Sequence, residues 1–320
     1  LASIYAVNPD IYVLDEPTAN IDKDGIDRLH EILLKLKQMG KTIVISEHRL
    51  YFLMDLVDKA VYIEHGVIQK VYTGDEFRAL ADSERIRLGL RCFTLDNEKD
   101  EVPTKCNSGI LEIDNLSVSY KNRTIFSNAS FAAARGDIIA VTGRNGSGKS
   151  AFLRVLCGLM KEKAGRIVFD GKPYPYKKRR ELCYMTMQDV VHQLFSDSVW
   201  EEFSLLNKTV DEQEITKILR RLDLLDYKDK HPMTLSGGQK QRLAIACGVL
   251  SDRTILIFDE PTSGLDGGNM KIVADVLREA AYQKKVILVI THDDELICRC
   301  DSEISIDDCA NERKMFNVML

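Results

Sequence analysis

The stretch "IIAVTGRNGSGKSAFLRVL" limits what its surroundings can fold into more than any other part of the 320-residue chain. The apolar run Ile138–Val141 is short and bounded by turn formers, the pattern of a buried parallel strand. "GRNGSGKS" (Gly143–Ser150) then fits the spacing G-x-x-x-x-G-K-[ST]. Glycines let successive backbone N–H groups converge on anionic oxygens without a Cβ in the way. A helix starting here turns its positive N-terminal end on the same point. Strand, glycine loop and helix together make a phosphate cradle from Gly143, Arg144, Asn145, Gly146, Ser147, Gly148, Lys149 and Ser150. The Lys149 ammonium is expected at the β- and γ-phosphates and the Ser150 hydroxyl on Mg²⁺.

A second constraint is internal repetition. "IYVLDEPTANID" (Ile11–Asp22) returns as "ILIFDEPTSGLD" (Ile255–Asp266), so that Asp259 lies 244 residues after Asp15. "TIVISEH", ending at His48, returns in "VILVITHD", and His292 again lies 244 residues further on. The chain therefore reads as two copies of one domain. Only the second copy carries the phosphate loop and "LSGGQ" (Leu235–Gln239). Shifted back by the same offset, both fall ahead of Leu1. Three segments follow: 1–95 as the C-terminal part of a first copy, 96–109 as a linker, and 110–320 as a complete second copy. The linker stretch Leu95–Gly109 is charged, holds a Pro and a Gly and lacks apolar periodicity. The start at Leu1 rather than Met, inside what reads as a helix, suggests a truncated N-terminus.

The second copy supplies the rest of a phosphate chemistry. "TILIFDEP" is an apolar strand ending in two acids, with Asp259 expected to hold Mg²⁺ and Glu260 to act as general base on water. His292 follows the strand Val286–Ile290, at the end where open α/β sheets bind ligands. There it could hydrogen-bond a γ-phosphate. Ser236, Gly237 and Gly238 head a helix whose Leu243, Ala246 and Cys247 share one face, giving a second anion device. Two such devices in one domain can serve one nucleotide only if they come from different domains. His30, His65, His192 and His231 lack such context and read as structural.

Composition narrows the partners. A net charge of −5 argues against nucleic acid, and the basic run Lys172–Arg180 reads as a solvated loop. Cys298-x-Cys300 with Cys309 does not have zinc-ligand spacing, while Cys157, Cys183 and Cys247 sit in apolar stretches as reduced core residues. No apolar run approaches the roughly 18–20 residues that span a bilayer. A membrane role would therefore pass through a partner.

Phosphate loop, Gln188, "LSGGQ", "FDEP", "SGLD" and His292, in that order, resemble the ATP-binding cassette (ABC) ATPases. The resemblance implies an α/β P-loop fold: a parallel core sheet, an antiparallel β-subdomain and a helical subdomain around Gln188–Leu250, present as one partial and one complete copy. It implies ATP and Mg²⁺ as ligands and pairing of two cassettes head to tail. The phosphate loop of one and Ser236, Gly237, Gly238 and Gln239 of the other would then enclose each ATP. It further implies that Tyr120 stacks on adenine, that Gln188 touches Mg²⁺ and couples to a membrane partner, and that Asp266 bridges the two sites. "QDVVHQLFSDSVWEEF", "SEHRLYFL" and the tandem arrangement resemble the energy-coupling factor (ECF) ATPases, which power uptake of vitamins and of nickel or cobalt. That likeness implies a peripheral protein on the cytoplasmic face of the membrane, with a transmembrane coupling subunit. Its second cassette would be the missing part of its own chain or another copy. Ser198-x-x-Glu201 resembles a capping box, and around it Phe195, Val199, Trp200 and Phe203 offer an apolar surface at helical spacing, either a groove for a coupling helix of a membrane subunit or plain core. ABC ATPases of other transporters, tandem ABC proteins of the ribosome and a regulatory remnant are the alternatives. The ribosomal class calls for a longer charged helical linker.

Overall fold

The computed structural model describes residues 7–19, 21–64, 66–95, 110–120, 123–206 and 210–307. The expected linker 96–109, Leu1, His65 and Cys309 lie outside these residues, as does the side chain of Tyr120. The chain divides into two compact units: 1–97 together with 264–269, and 98–263 together with 270–320.

In the first unit, β1 (Ile11–Asp15), α1 (Lys23–Gln38) and β2 (Thr42–Ser46) form a β-α-β turn, with β1 and β2 parallel and Ile11 opposite Thr42. Asp22 accepts from the Gly25 N–H at 3.0 Å and so caps α1. Ile26, Leu29, Leu33 and Leu36 recur at helical spacing and form its buried face. Ile26, Leu29 and Leu33 of that face pack with Leu14, Phe52 and Leu53 into a small core. β3 (Lys59–Glu64) and β4 (Val67–Thr73) form an antiparallel hairpin. It is followed by α2 (Gly74–Arg78), opened by a Thr73–Glu76 capping box, and by α3 (Asp82–Arg87).

In the second unit, β5 (Ile110–Tyr120) and β6 (Arg123–Ala134) lead into β7 (Ile138–Thr142), α4 (Lys149–Leu156), β8 (Ala164–Phe169) and β9 (Lys172–Pro173). β10 (Cys183–Thr186), α5 (Glu212–Arg221), α6 (Gly237–Leu250), β11 (Ile255–Asp259), α7 (Gly267–Tyr282, whose residues 267–269 belong to the first unit), β12 (Val286–Ile290), α8 (Asp294–Ile297) and β13 (Ser302–Ser305) follow. Two sheets result. One has the order β10-β11-β12-β7-β13 and is parallel throughout; the other, β6-β5-β8-β9, is antiparallel. Ile139, Val141, Phe152, Ile257, Leu288 and Ile304 join the faces of these sheets and α4 in one core. Every residue of β11 and β12 is buried, as expected of central strands covered on both faces.

Several local expectations change. α6 is buried all round, from Gln241 to Val249, rather than on one stripe. The stripe after Gln188 splits: Val199 and Phe203 are core residues, while Phe195 is 76% exposed. The expected box at Ser198 is a single bond from the Glu201 N–H to the Ser198 hydroxyl, 3.2 Å, ahead of the 3₁₀ turn Glu201–Leu205, whose N-cap is Trp200. The basic run is not wholly solvated, because Arg179 is buried and pairs with Glu162 at 2.8 Å. Cys157 and Cys247 are buried free thiols, whereas Cys183, at the start of β10, is half-buried.

Candidate functional site

A parallel sheet delivers every strand's C-terminal end to one edge. In the second unit that edge receives the loop after β7, the turn at Gln188 after β10, Asp259–Glu260 at the end of β11 and His292 just past β12. Residues far apart in sequence thus meet because their strands share a direction.

The glycine loop takes the backbone its sequence calls for. Gly148 has φ +108°, and a Cβ there would lie 2.4 Å from Ile125 Cγ2. Only glycine meets both conditions. Gly143 has φ +136° and leads into Arg144, whose N–H donates to the Asp307 carboxylate at 2.7 Å. Lys149 is 9% exposed. Its Nζ donates to the Gly143 and Arg144 carbonyls at 2.5 and 3.1 Å and lies 3.0 Å from His292 Nε2. The predicted lysine and histidine, 143 positions apart, are therefore in contact. Asn145, Gly146 and Ser150 are exposed, and Ser147 is half-buried with its hydroxyl turned inward.

Asp259 and Glu260 are both buried. Burial pushes the Asp259 carboxyl up to about 6, with Lys149 and Arg154 pulling the other way. Glu260 sits in the left-handed region at φ 51°, a conformation costly for a non-glycine residue and common where geometry serves function. Its N–H donates to the Ile290 carbonyl at 2.9 Å, and the Thr291 hydroxyl donates to its Oε2 at 3.5 Å. Thr262 donates to Asp293 at 2.6 Å, tying the turn after β11 to the turn after β12.

The remaining predicted residues lie in turns and at the ends of elements. Gln188 is exposed in the turn after β10. Gln193 spans that turn, accepting from the Met187 N–H at 2.8 Å and donating to the Met185 carbonyl at 2.7 Å. Ser236 caps α6 in a reciprocal box with Gln239, with Gly237 exposed beside it. Asp266 caps α7, accepting from the Asn269 N–H at 2.7 Å and from its side-chain amide at 2.8 Å. Tyr120 ends β5. Of the histidines left as structural, His30 pairs with Asp55 at 2.9 Å and His231 caps the turn at Pro232.

Asp307 and Gln193 are braces that motif reading missed. A glutamine five residues past Gln188 is a weak trace of one; an acid two residues past β13 leaves no local signal at all.

The fold and this edge define an α/β nucleotide-binding protein with a phosphate loop. Residues 126–263 match the family model "ABC transporter". A "Putative ABC transporter ATP-binding protein" of Treponema denticola is 43% identical over 312 residues, spanning 95% of this chain and 64% of that protein. The "Putative HMP/thiamine import ATP-binding protein YkoD" of Bacillus subtilis is 29% identical, over 93% of this chain and 60% of its own length. Among solved structures, cbiO1 from Clostridium perfringens, part of the ABC transporter complex cbiONQ, matches with TM-score 0.54 and 32% identity. That match covers 61% of this chain and 83% of cbiO1. The chain belongs to the ABC transporter ATP-binding protein family, and it spans 64% of the length of the Treponema denticola relative.

Proposed function

We propose that the second unit binds ATP with Mg²⁺ and hydrolyses it to ADP and phosphate, and that this reaction powers import across a membrane. The observation that carries the reading is the convergence of Lys149, Glu260 and His292 on one sheet edge, with Lys149 and His292 3.0 Å apart. Lys149 neutralises the terminal phosphates. His292, beside it, donates to the γ-phosphate when its ring nitrogen carries the proton. Glu260 accepts the proton of the attacking water as the γ-phosphate departs from ADP. Asp259, Ser150 and Gln188 offer hard oxygen donors of the kind Mg²⁺ takes. When bound, the ion offsets charge on the phosphate oxygens.

The first unit reads as the C-terminal part of another cassette. Its support is a repeat that extends to the hydrogen bonds. Helix α1 and helix α7 begin and end at positions 244 apart. The strand registers Ile11↔Thr42 and Ile255↔Val286 keep the same offset. A tandem cassette, an exposed Gln188 turn with Phe195 beside it, and the likeness to cbiO1 and YkoD favour ECF-type uptake of a vitamin or metal ion, with a transmembrane coupling subunit. The protein then sits peripherally on the cytoplasmic face. Among the described residues no helix is long and apolar enough to cross a membrane.

ATPase rate per chain, measured as the concentration of this chain rises, tests the catalytic reading. Turnover that appears with concentration shows that two copies complete the site through Ser236–Gln239. ATP that binds without turnover at any concentration assigns the completing signature to another segment. Failure to bind ATP overturns the reading.

A further inference from the structure

Arg91 is 2% exposed, one of the largest fully buried side chains in the protein, and no step proposed above uses it. A buried guanidinium is costly unless its donors are satisfied. Arg91 donates from both Nε and Nη2 to the Leu265 carbonyl, at 3.1 and 2.9 Å. Both partners belong to the first unit, which includes 264–269. The same stretch grips this segment a second time. The Gly267 N–H donates to the Gly89 carbonyl at 2.8 Å. A Cβ on Gly267 would lie 2.5 Å from the Leu90 carbonyl oxygen, so only glycine allows the approach. Arg85, itself buried, donates to that Leu90 carbonyl at 3.2 Å. At the segment's other end, a Cβ on Gly264 would lie 3.2 Å from Glu16 Oε2. The Glu16 carboxylate therefore rests against the backbone that leads away from Glu260.

We propose that Arg91 is a positioning residue that fixes the Gly264–Asp266 backbone against the Glu16 carboxylate. Glu260 is four residues before Gly264 in a strained turn, so a fixed Gly264 sets where that turn ends. The consequence for turnover rests on the proposed ATP hydrolysis; the fixing itself does not. A fork of two N–H groups on one carbonyl suits arginine, and lysine supplies a point charge without the fork.

The test uses the full chain with Arg91→Met, which keeps length but removes the donors, and Arg91→Lys. Amide exchange is read at Gly267, with the α1 amides as an internal control for global stability. Arg91→Met is expected to speed exchange at Gly267 about tenfold or more while α1 amides stay unchanged. MgATP kinetics are expected to show kcat down by about tenfold with KM held within about threefold, and Arg91→Lys between Met and wild type. Unchanged Gly267 exchange in Arg91→Met overturns the proposal, as does exchange that rises equally in α1. If Arg91→Met does not fold, Arg91→Lys carries both readouts. A wild-type chain that fails to bind ATP overturns the hydrolysis reading alone, one that binds without turnover assigns the completing signature elsewhere, and in both cases exchange at Gly267 still decides whether Arg91 holds the segment.

Discussion

The turn Asp15–Asp22 and the turn Asp259–Asp266 have nearly the same sequence and share backbone features at their described residues, yet their surroundings differ. Both glutamates are left-handed, φ 40° at Glu16 and 51° at Glu260. Both donate their N–H to the parallel neighbour strand, at 2.8 Å to Ser46 and 2.9 Å to Ile290. Both closing aspartates cap a helix three residues on. Burial then separates them. β11 and β12 lie between β10 and β7 and are wholly covered, whereas Ile11 and Val13 of β1 are 62% and 70% exposed. Glu260 is 6% exposed, while the Glu16 side chain is 38% exposed with His48 Nε2 at 3.8 Å. Local sequence writes the turn, and the strands alongside it decide its electrostatics.

The comparison also locates one substitution with a charge. Before the loop histidine the second unit has Thr291, a hydroxyl directed at Glu260, and the first unit has Glu47. Burial pushes the Glu47 carboxyl up to about 7, with Arg49 opposing and Glu16 adding to the rise. One turn thus holds a donor beside its glutamate; the other holds a second acid.

The sharpest way to break this contrast is to neutralise each glutamate. Glu260→Gln should leave ATP binding intact and slow turnover about 10²–10⁴-fold, the usual span for a lost general base. Glu16→Gln, which keeps the side-chain shape that Gly264 rests against, should change turnover by less than about twofold, because the first unit's described residues include no phosphate loop. Equal losses in the two variants would erase the distinction between the turns. Lys149→Ala should weaken MgATP binding by about 3 kcal/mol or more, as charge-assisted contacts to phosphate are lost; isothermal titration reads it.

Glu47→Gln sharpens the comparison through pH. Between about pH 4.5 and about 7 the folded chain keeps a proton on Glu47 that the unfolded chain releases. Stability therefore falls as pH rises through that window and stays lower above it. The glutamine variant should lose this slope and gain about 2 kcal/mol at pH 8, read by urea denaturation across the pH series. A wild-type profile without the fall would mean the carboxyl is ionised in the folded state. The smallest effect is expected at Tyr120→Ala, about 1–2 kcal/mol of ATP affinity, the scale of one aromatic stack.

Much of the second unit was legible in its sequence because strand, glycine loop and acid pair are each local patterns. The all-apolar "ILIF" and "VILV" runs foretold strands covered on both faces. What could not be read was long-range. Nothing near Arg91 announces Leu265 as its partner, and nothing near Asp307 announces the Arg144 amide. The stripe Phe195–Phe203 read equally as groove or core, and it divides: Val199 and Phe203 are core residues while Phe195 is exposed, because the segment ends in the short 3₁₀ turn Glu201–Leu205 rather than a helix with one apolar face. The first unit's "TIVIS" shares the apolar character of its counterpart "VILVI", yet β2 alternates between exposed and half-buried residues while β12 is wholly buried. Hydrophobic pattern sets which face is apolar; neighbours determine whether it is covered.

The most direct test of the central claim, that the nucleotide site belongs to the second unit, is the stoichiometry of MgATP binding in wild type, Lys149→Ala and Glu16→Gln, measured by isothermal titration. One ATP per chain, lost in Lys149→Ala and unchanged in Glu16→Gln, is the predicted result. Binding that survives Lys149→Ala, or that disappears in Glu16→Gln, would contradict it.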